Sequence, residues 1–166
     1  MASFYRIQLE EYLKTLDLKG KRVLDIGASD RPAKDRVKGL KYETYHTIDI
    51  NQEYKPDFRW NLNFQEYAEN IFKGERYDLI FCLEVFEYIW NPVGAMFNIW
   101  DWLKNGGEAY ITFPFIYPIH EPVGADCLRY TKKGVEWLII TPWSKGFAEY
   151  QIIPRKATAG RQDLIN

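Results

Sequence analysis

The stretch Arg22-Val-Leu-Asp-Ile-Gly-Ala-Ser-Asp30 constrains the fold more than any other. Val23, Leu24 and Ile26 form a short apolar run of the kind found in a strand buried on both faces. Gly27 ends the run and permits a sharp turn or a close backbone approach. Asp25 sits just before that turn, and a buried carboxylate is costly unless something pairs with it. A strand that ends in an acid, then glycine and small residues, reads as an edge that holds a ligand.

The rest of the chain repeats the pattern of strand and helix. Apolar residues at helical spacing predict a helix over 4–16. Pro32 opens a short helix over 33–38, and a second strand runs from Tyr42 to Ile50. A short strand over 57–62, a helix over 64–72 and a buried strand over 77–83 follow. Asn91-Pro92 opens a helix to about Lys104, and Asn105-Gly-Gly107 is a helix stop. A fifth strand runs over 108–115, a long loop over 114–129, a helix over 131–140 and a last strand over 147–153. Strands alternating with helices imply βαβ units, hence an α/β, Rossmann-like three-layer sandwich with a mainly parallel sheet. Only one strand follows the last helix.

Size and charge narrow the options. The 166 residues fit a single domain, with a helix over 1–18, a core over 20–140 and a last strand and tail over 141–166. A net charge of −1 gives no bulk electrostatic case for nucleic acid or an anionic membrane, so neither is expected as a partner. Cys82 and Cys127 lack metal-type spacing with another Cys or His, so no metal site is expected. Free thiols fit a reducing, cytoplasmic setting. The first residues show no signal-peptide pattern, and no apolar run approaches the ~18 residues of a membrane helix.

In parallel sheets of this kind, ligands sit outside the carboxyl ends of the strands, at the switch point. Gly27–Ser29, Asp49, Asn61–Asn63, Leu83–Glu84 and Pro114 would converge there. Asp49, 22 residues after Gly27, is placed to accept hydrogen bonds from a ribose diol, or is an ordinary acid at a strand end. A dinucleotide turn wants further glycines to cradle pyrophosphate. Here the turn reads Gly27-Ala-Ser-Asp-Arg-Pro32, and Asp30 would repel phosphate. A cationic sulfonium such as S-adenosylmethionine suits Asp25 and Asp30 better.

These residues resemble the class I S-adenosylmethionine-dependent methyltransferases. Val23-Leu-Asp-Ile-Gly-Ala-Ser29 is similar to their first motif and Thr47-Ile-Asp-Ile50 to their second, acidic one. The run from Tyr77 to Pro92 resembles the "FDxxxxxxVLEHxxxP" segment of the methyltransferase-11-like branch, and Leu103-Lys-Asn-Gly-Gly107 its "LKPGG" turn. Asp126-Cys-Leu-Arg-Tyr-Thr131 is similar to a "DxxRYT" pattern in methyltransferases often tied to glycan gene clusters. The resemblance implies that Asp25, Gly27, Ala28 and Ser29 line the methionine end. Asp49 would take the ribose, Ile50 would pack on the adenine, Asn61 and Leu62 would read its edge, and Leu83 and Glu84 would close the pocket near the methyl group. The chain departs from the family at Asp30, at Asn61, where Asp is commoner, and at Tyr88, where His is usual. The resemblance also implies two final antiparallel strands, so with one over 147–153 the C-terminal strands look shortened. An open sheet edge, an unusual closure or a partner chain, as in a homo-oligomer, would answer that.

The expected reaction is methyl transfer to a small-molecule or glycan-type acceptor; a catalytically silent cofactor-binding protein is the alternative. A hydroxyl acceptor needs a base, and His120 in the long loop is the candidate, against a bland surface histidine. Arg129 is suited to an anionic substrate, with Asp126 and Tyr130 beside it. The same Arg129 and Asp126 would equally fix the loop as an ion pair.

Overall fold

The computed structural model describes residues 4–119 and 124–140. Five parallel strands form one sheet: β1 (Arg22–Ile26), β2 (Thr44–Asp49), β3 (Phe58–Arg59), β4 (Tyr77–Cys82) and β5 (Leu103–Ile111). Their spatial order is β3-β2-β1-β4-β5. The chain winds outward from β1 to β3, then crosses to β4 on the other side of β1. The switch point therefore lies between β1 and β4, where Val23 pairs with Leu79 and Ile26 with Cys82.

The three layers follow from alternation along buried strands. Val23, Tyr45, Leu79, Phe81 and Leu83 pack on one face against Leu13 of α1 (Phe4–Leu13) and Ala33 of α2 (Ala33–Arg36). Leu24, Ile48, Ile80 and Cys82 face the other way. They meet α3 (Ala68–Phe72), α4 (Pro92–Trp102) and α5 (Lys132–Ile140) through Phe72, Met96, Ile99, Trp102 and Leu138. Both faces are covered, so β1 and β4 read as continuous apolar runs. The α/β, Rossmann-like sandwich expected from the sequence is the fold observed.

Several boundaries differ from expectation for identifiable reasons. Helix α1 ends at Leu13, because Thr15 and Leu16 donate to carbonyls three residues back and the Thr15 hydroxyl occupies the Tyr12 carbonyl at 2.7 Å. Helix α3 starts at Ala68 rather than 64, because tertiary partners claim the preceding backbone. Asn98 Nδ2 and Trp60 Nε1 both donate to the Phe64 carbonyl, and Trp102 Nε1 donates to that of Glu66. Asp101 of α4 then caps α3 by accepting the Ala68 N–H at 2.7 Å. Strand β5 begins at Leu103, inside the expected helix stop: Tyr77 pairs with Leu103 and Leu79 with Glu108, so Lys104–Gly107 bulge out between them. Thr131 does cap α5, its hydroxyl accepting the Gly134 N–H at 3.0 Å. The expected strand over 147–153 lies outside the described residues.

Candidate functional site at the carboxyl ends of the strands

Because all five strands are parallel, their carboxyl ends share one edge. The turn after β1 is built there first. Gly27 has φ +67°, and a Cβ at that position would lie 2.4 Å from Val85 Cγ2. The residue is therefore glycine for two reasons: the left-handed backbone and the valine crossing over it. Ser29 adopts φ +51°, a conformation costly for most side chains. It is held there because its N–H donates to Asp49 Oδ2 at 3.0 Å. Asp49 Oδ1 accepts the Asn51 N–H at 2.8 Å. Each oxygen of this buried carboxylate keeps a lone pair beyond its one backbone partner. Ile50, the next residue, is 56% exposed. Ala28 is buried.

Asp25 does different work. Its Oδ2 accepts the Ala33 N–H and the Tyr45 hydroxyl, both at 2.7 Å. The side chain thus ties β1 to the start of α2 and to β2. Burial raises its pKa, opposed by those two hydrogen bonds and by Arg36 and Lys34. Burial and the Asp25 charge push the Tyr45 hydroxyl well above its ordinary range.

After β4, Leu83 is buried and Glu84 takes a left-handed φ of +60°. The Glu84 N–H donates to Thr112 Oγ1 at 2.6 Å, joining the ends of β4 and β5. Its carboxylate lies 3.5 Å from Arg36 Nη1 and 4.0 Å from Arg6 Nε, so α1 and α2 both contribute a cation to it.

The loop after β3 is fastened to α4. Asn61 Oδ1 accepts from the N–H and Nδ2 of Asn63. Asn63 Oδ1 in turn accepts the N–H groups of Trp90 and Asn91 at 2.8 and 3.1 Å. Asn98, fully buried in α4, donates to the Leu62 and Phe64 carbonyls at 3.3 and 2.9 Å and accepts the Glu66 N–H at 2.8 Å. Leu62 is buried beneath this lattice.

The long loop after β5 folds against the turn after β4. Glu87 O accepts the N–H groups of Cys127 and Leu128, and Tyr130 donates its N–H to Pro114 O and its hydroxyl to Phe86 O. The Tyr130 ring packs on Phe113 and Phe86, with centroids 5.1 and 6.0 Å apart. Arg129 makes a two-pronged ion pair with Asp126, one arm at 2.8 Å. It also donates to the carbonyls of Tyr117, Pro118 and Leu128. Its donors are thus spent within the loop. His120 lies outside the described residues. Among the described residues there is no cluster of His, Cys, Asp and Glu that could hold a metal ion, and no helix long and apolar enough to cross a membrane.

The crevice therefore gathers Gly27, Ala28, Ser29, Asp49 and Ile50, with Asn61–Asn63, Leu83, Glu84 and Thr112 at the neighbouring strand ends. Reading the sequence alone places Asn61–Asn63 at the crevice but misses Asn98, Thr112 and Arg36. Asn98 had a signal, an amide among Met96, Phe97, Ile99 and Trp100. Arg36, in a four-residue helix, had none.

A family model described as a methyltransferase domain matches residues 1–140. The chain belongs to that family, the class I S-adenosylmethionine-dependent methyltransferases. This methyltransferase domain is 32% identical over 106 residues to a tRNA U34 carboxymethyltransferase of Pseudomonas putida, covering 56% of this chain and 32% of that protein. It is 28% identical over 115 residues to a ubiquinone biosynthesis O-methyltransferase of Coxiella burnetii, covering 64% of this chain and 49% of that protein. The matched part thus spans a third to a half of the length of these relatives. The Haemonchus contortus phosphoethanolamine N-methyltransferase 2, solved in complex with S-adenosyl-L-methionine, shares the fold. Its TM-score is 0.54 at 12% identity, over 87% of this chain and 36% of that one.

Proposed function

We propose that the domain binds S-adenosylmethionine across the carboxyl ends of β1 to β4 and passes its methyl group to a small organic acceptor. The observation that carries this is Asp49: a buried carboxylate, fixed by two backbone N–H groups, with acceptor capacity left for a ribose diol. Ile50 beside it offers an exposed apolar surface for adenine. The Asn61–Asn63 loop holds the adenine edge, and Ala28 and Ser29 pass along the methionine end. Asp25 acts here by positioning, since it anchors the turn through Ala33 and Tyr45. Leu83 and Glu84 stand next to the reacting methyl, with Arg36 and Arg6 compensating the Glu84 charge.

The bound cofactor supplies an electrophilic methyl on a cationic sulfur. The chain's task is orientation, which supplies much of the rate of such a displacement. His120 takes the proton from a hydroxyl acceptor. The acceptor is a small molecule with an apolar body, and Arg129 braces the loop beside it through Asp126 and backbone carbonyls. Phe115, Ile116, Tyr117 and Ile119 form an exposed apolar lip beside it. The relative named for O-methylation in ubiquinone biosynthesis supports this class. A second reading, RNA as acceptor, is favoured by the tRNA U34 carboxymethyltransferase relatives, and it revises the expectation that nucleic acid plays no part.

Calorimetry with S-adenosylhomocysteine tests the cofactor assignment. Asp49→Ala is expected to weaken binding about tenfold or more, and Asp126→Ala by less than about twofold. Equal affinities would remove Asp49 from the site, and stabilisation by NAD alone would sink the cofactor reading. Methyl transfer from labelled S-adenosylmethionine to phenolic acceptors against unmodified tRNA then separates the two acceptor classes.

A further inference from the structure

The amino ends of β1 and β2 carry a second recess, on the edge of the sheet opposite the crevice. The segment after α1 and the connection from α2 to β2 enclose a pocket of about 180 Å³. Four lysines line it, Lys14, Lys19, Lys38 and Lys41, against one acid, Asp17, with leucines as the floor. Lys14 pairs with Glu11 at 2.5 Å. Lys19, Lys38 and Lys41 have no carboxylate partner among the described residues. Asp17 Oδ1 accepts the Lys19 backbone N–H at 3.0 Å and so tightens the turn.

This is a local excess of charge on a chain whose net charge is −1. Elsewhere Lys21 pairs with Glu108, Lys104 with Asp78 and Lys133 with Glu136, while Lys34, Lys55, Lys73 and Lys132 stand singly rather than grouped around one recess. Three lysines without a carboxylate partner line one small recess, and like charges gathered there repel. A compact dianion among them relieves that repulsion. The recess is too small for a cofactor, whose pockets run to ~300 Å³ and above. It has room for a single phosphate group. A strand of five residues at ~3.3 Å each sets it ~17 Å from the crevice, so an anion there would not touch the reacting atoms.

We propose that this pocket binds one phosphate group, carried either by a small phosphorylated molecule or by the backbone of an RNA strand. The inference does not depend on which acceptor is methylated in the crevice.

The test uses the full chain and two double variants. Lys38→Gln with Lys41→Gln empties the exposed loop of charge; Lys132→Gln with Lys133→Gln removes the same charge from α5. Inorganic phosphate, titrated at fixed ionic strength and followed by amide chemical shifts, is expected to give saturable shifts at 38–41. The first variant weakens this about tenfold or more, the second less than about twofold. A short fluorescein-labelled RNA strand forms the second arm. If its affinity falls with the first variant and phosphate competes for it, the phosphate belongs to RNA. If phosphate binds and RNA is indifferent to the variant, the source is a small molecule. Absence of a saturable shift at 38–41, or equal weakening by both variants, overturns the proposal. Cofactor calorimetry on the same samples reads the crevice separately.

Discussion

Replacing Asn98 with leucine keeps the branching and the number of heavy atoms of the side chain and removes its hydrogen bonds, at the cost of some extra bulk. The Phe64 carbonyl retains the Trp60 indole as a partner at 3.0 Å. The Leu62 carbonyl and the Glu66 N–H lose theirs. An orphaned buried polar group costs about 1–3 kcal/mol, so two of them destabilise by about 3 kcal/mol. For a domain of this size that lowers Tm by roughly 6–12 °C. Thermal unfolding followed by circular dichroism measures this directly. The same loop carries Asn61 and Leu62, so KM for S-adenosylmethionine should rise more than kcat falls. Asn98→Asp adds a signed pH test. An ionised carboxylate would face the Leu62 and Phe64 carbonyls, so its folded pKa is raised above its unfolded value of ~3.9. The variant's deficit is therefore smallest below that unfolded pKa, where the proton restores a donor, and grows as pH rises through the raised folded pKa. A Tm loss under ~2 °C for Asn98→Leu, or a deficit for Asn98→Asp that shrinks toward neutral pH, would refute the reasoning.

Two further outcomes follow from the turn after β1. Gly27→Ala should destabilise by a few kcal/mol, from about 1–2 kcal/mol of left-handed backbone strain plus the clash with Val85. Adding Val85→Ala should recover the clash but not the backbone part, and additive losses in denaturant titrations would show that the two residues do not meet. Asp25→Asn should steepen the acid limb of the stability curve. The raised folded pKa of Asp25 adds stability that is fully present below its unfolded pKa and is lost as pH rises through the folded one. The variant lacks this proton-linked gain, so a difference in Tm between the two proteins that is constant from pH 3 to 7 would contradict it.

The sheet was legible because its strands are buried on both faces. Val23–Ile26 and Tyr77–Cys82 carry no alternation that a neighbouring helix could imitate. The crevice residues were legible because each follows a strand end. Helix α3 and the loop before it were not. Residues 64–72 have helical spacing, yet Asn98, Asp101 and Trp102 take the backbone groups that a longer helix would use. No local pattern encodes a partner more than thirty residues away. Arg129 shows the converse. Its sequence context allowed a substrate contact or a loop brace, and the bracing contacts to three carbonyls and Asp126 become visible only in three dimensions.

The dependence of α3 on α4 also orders events in time. Residues 62–68 leave the ribosome before residues 98–102 that hold them. At ~5–20 residues per second, the loop after β3 waits about two to seven seconds for its template. Until then the growing chain can pair β1 with β2 but cannot complete the cofactor crevice. The domain's ability to hold its ligand is thus acquired only once α4 has been made, as a late step of synthesis.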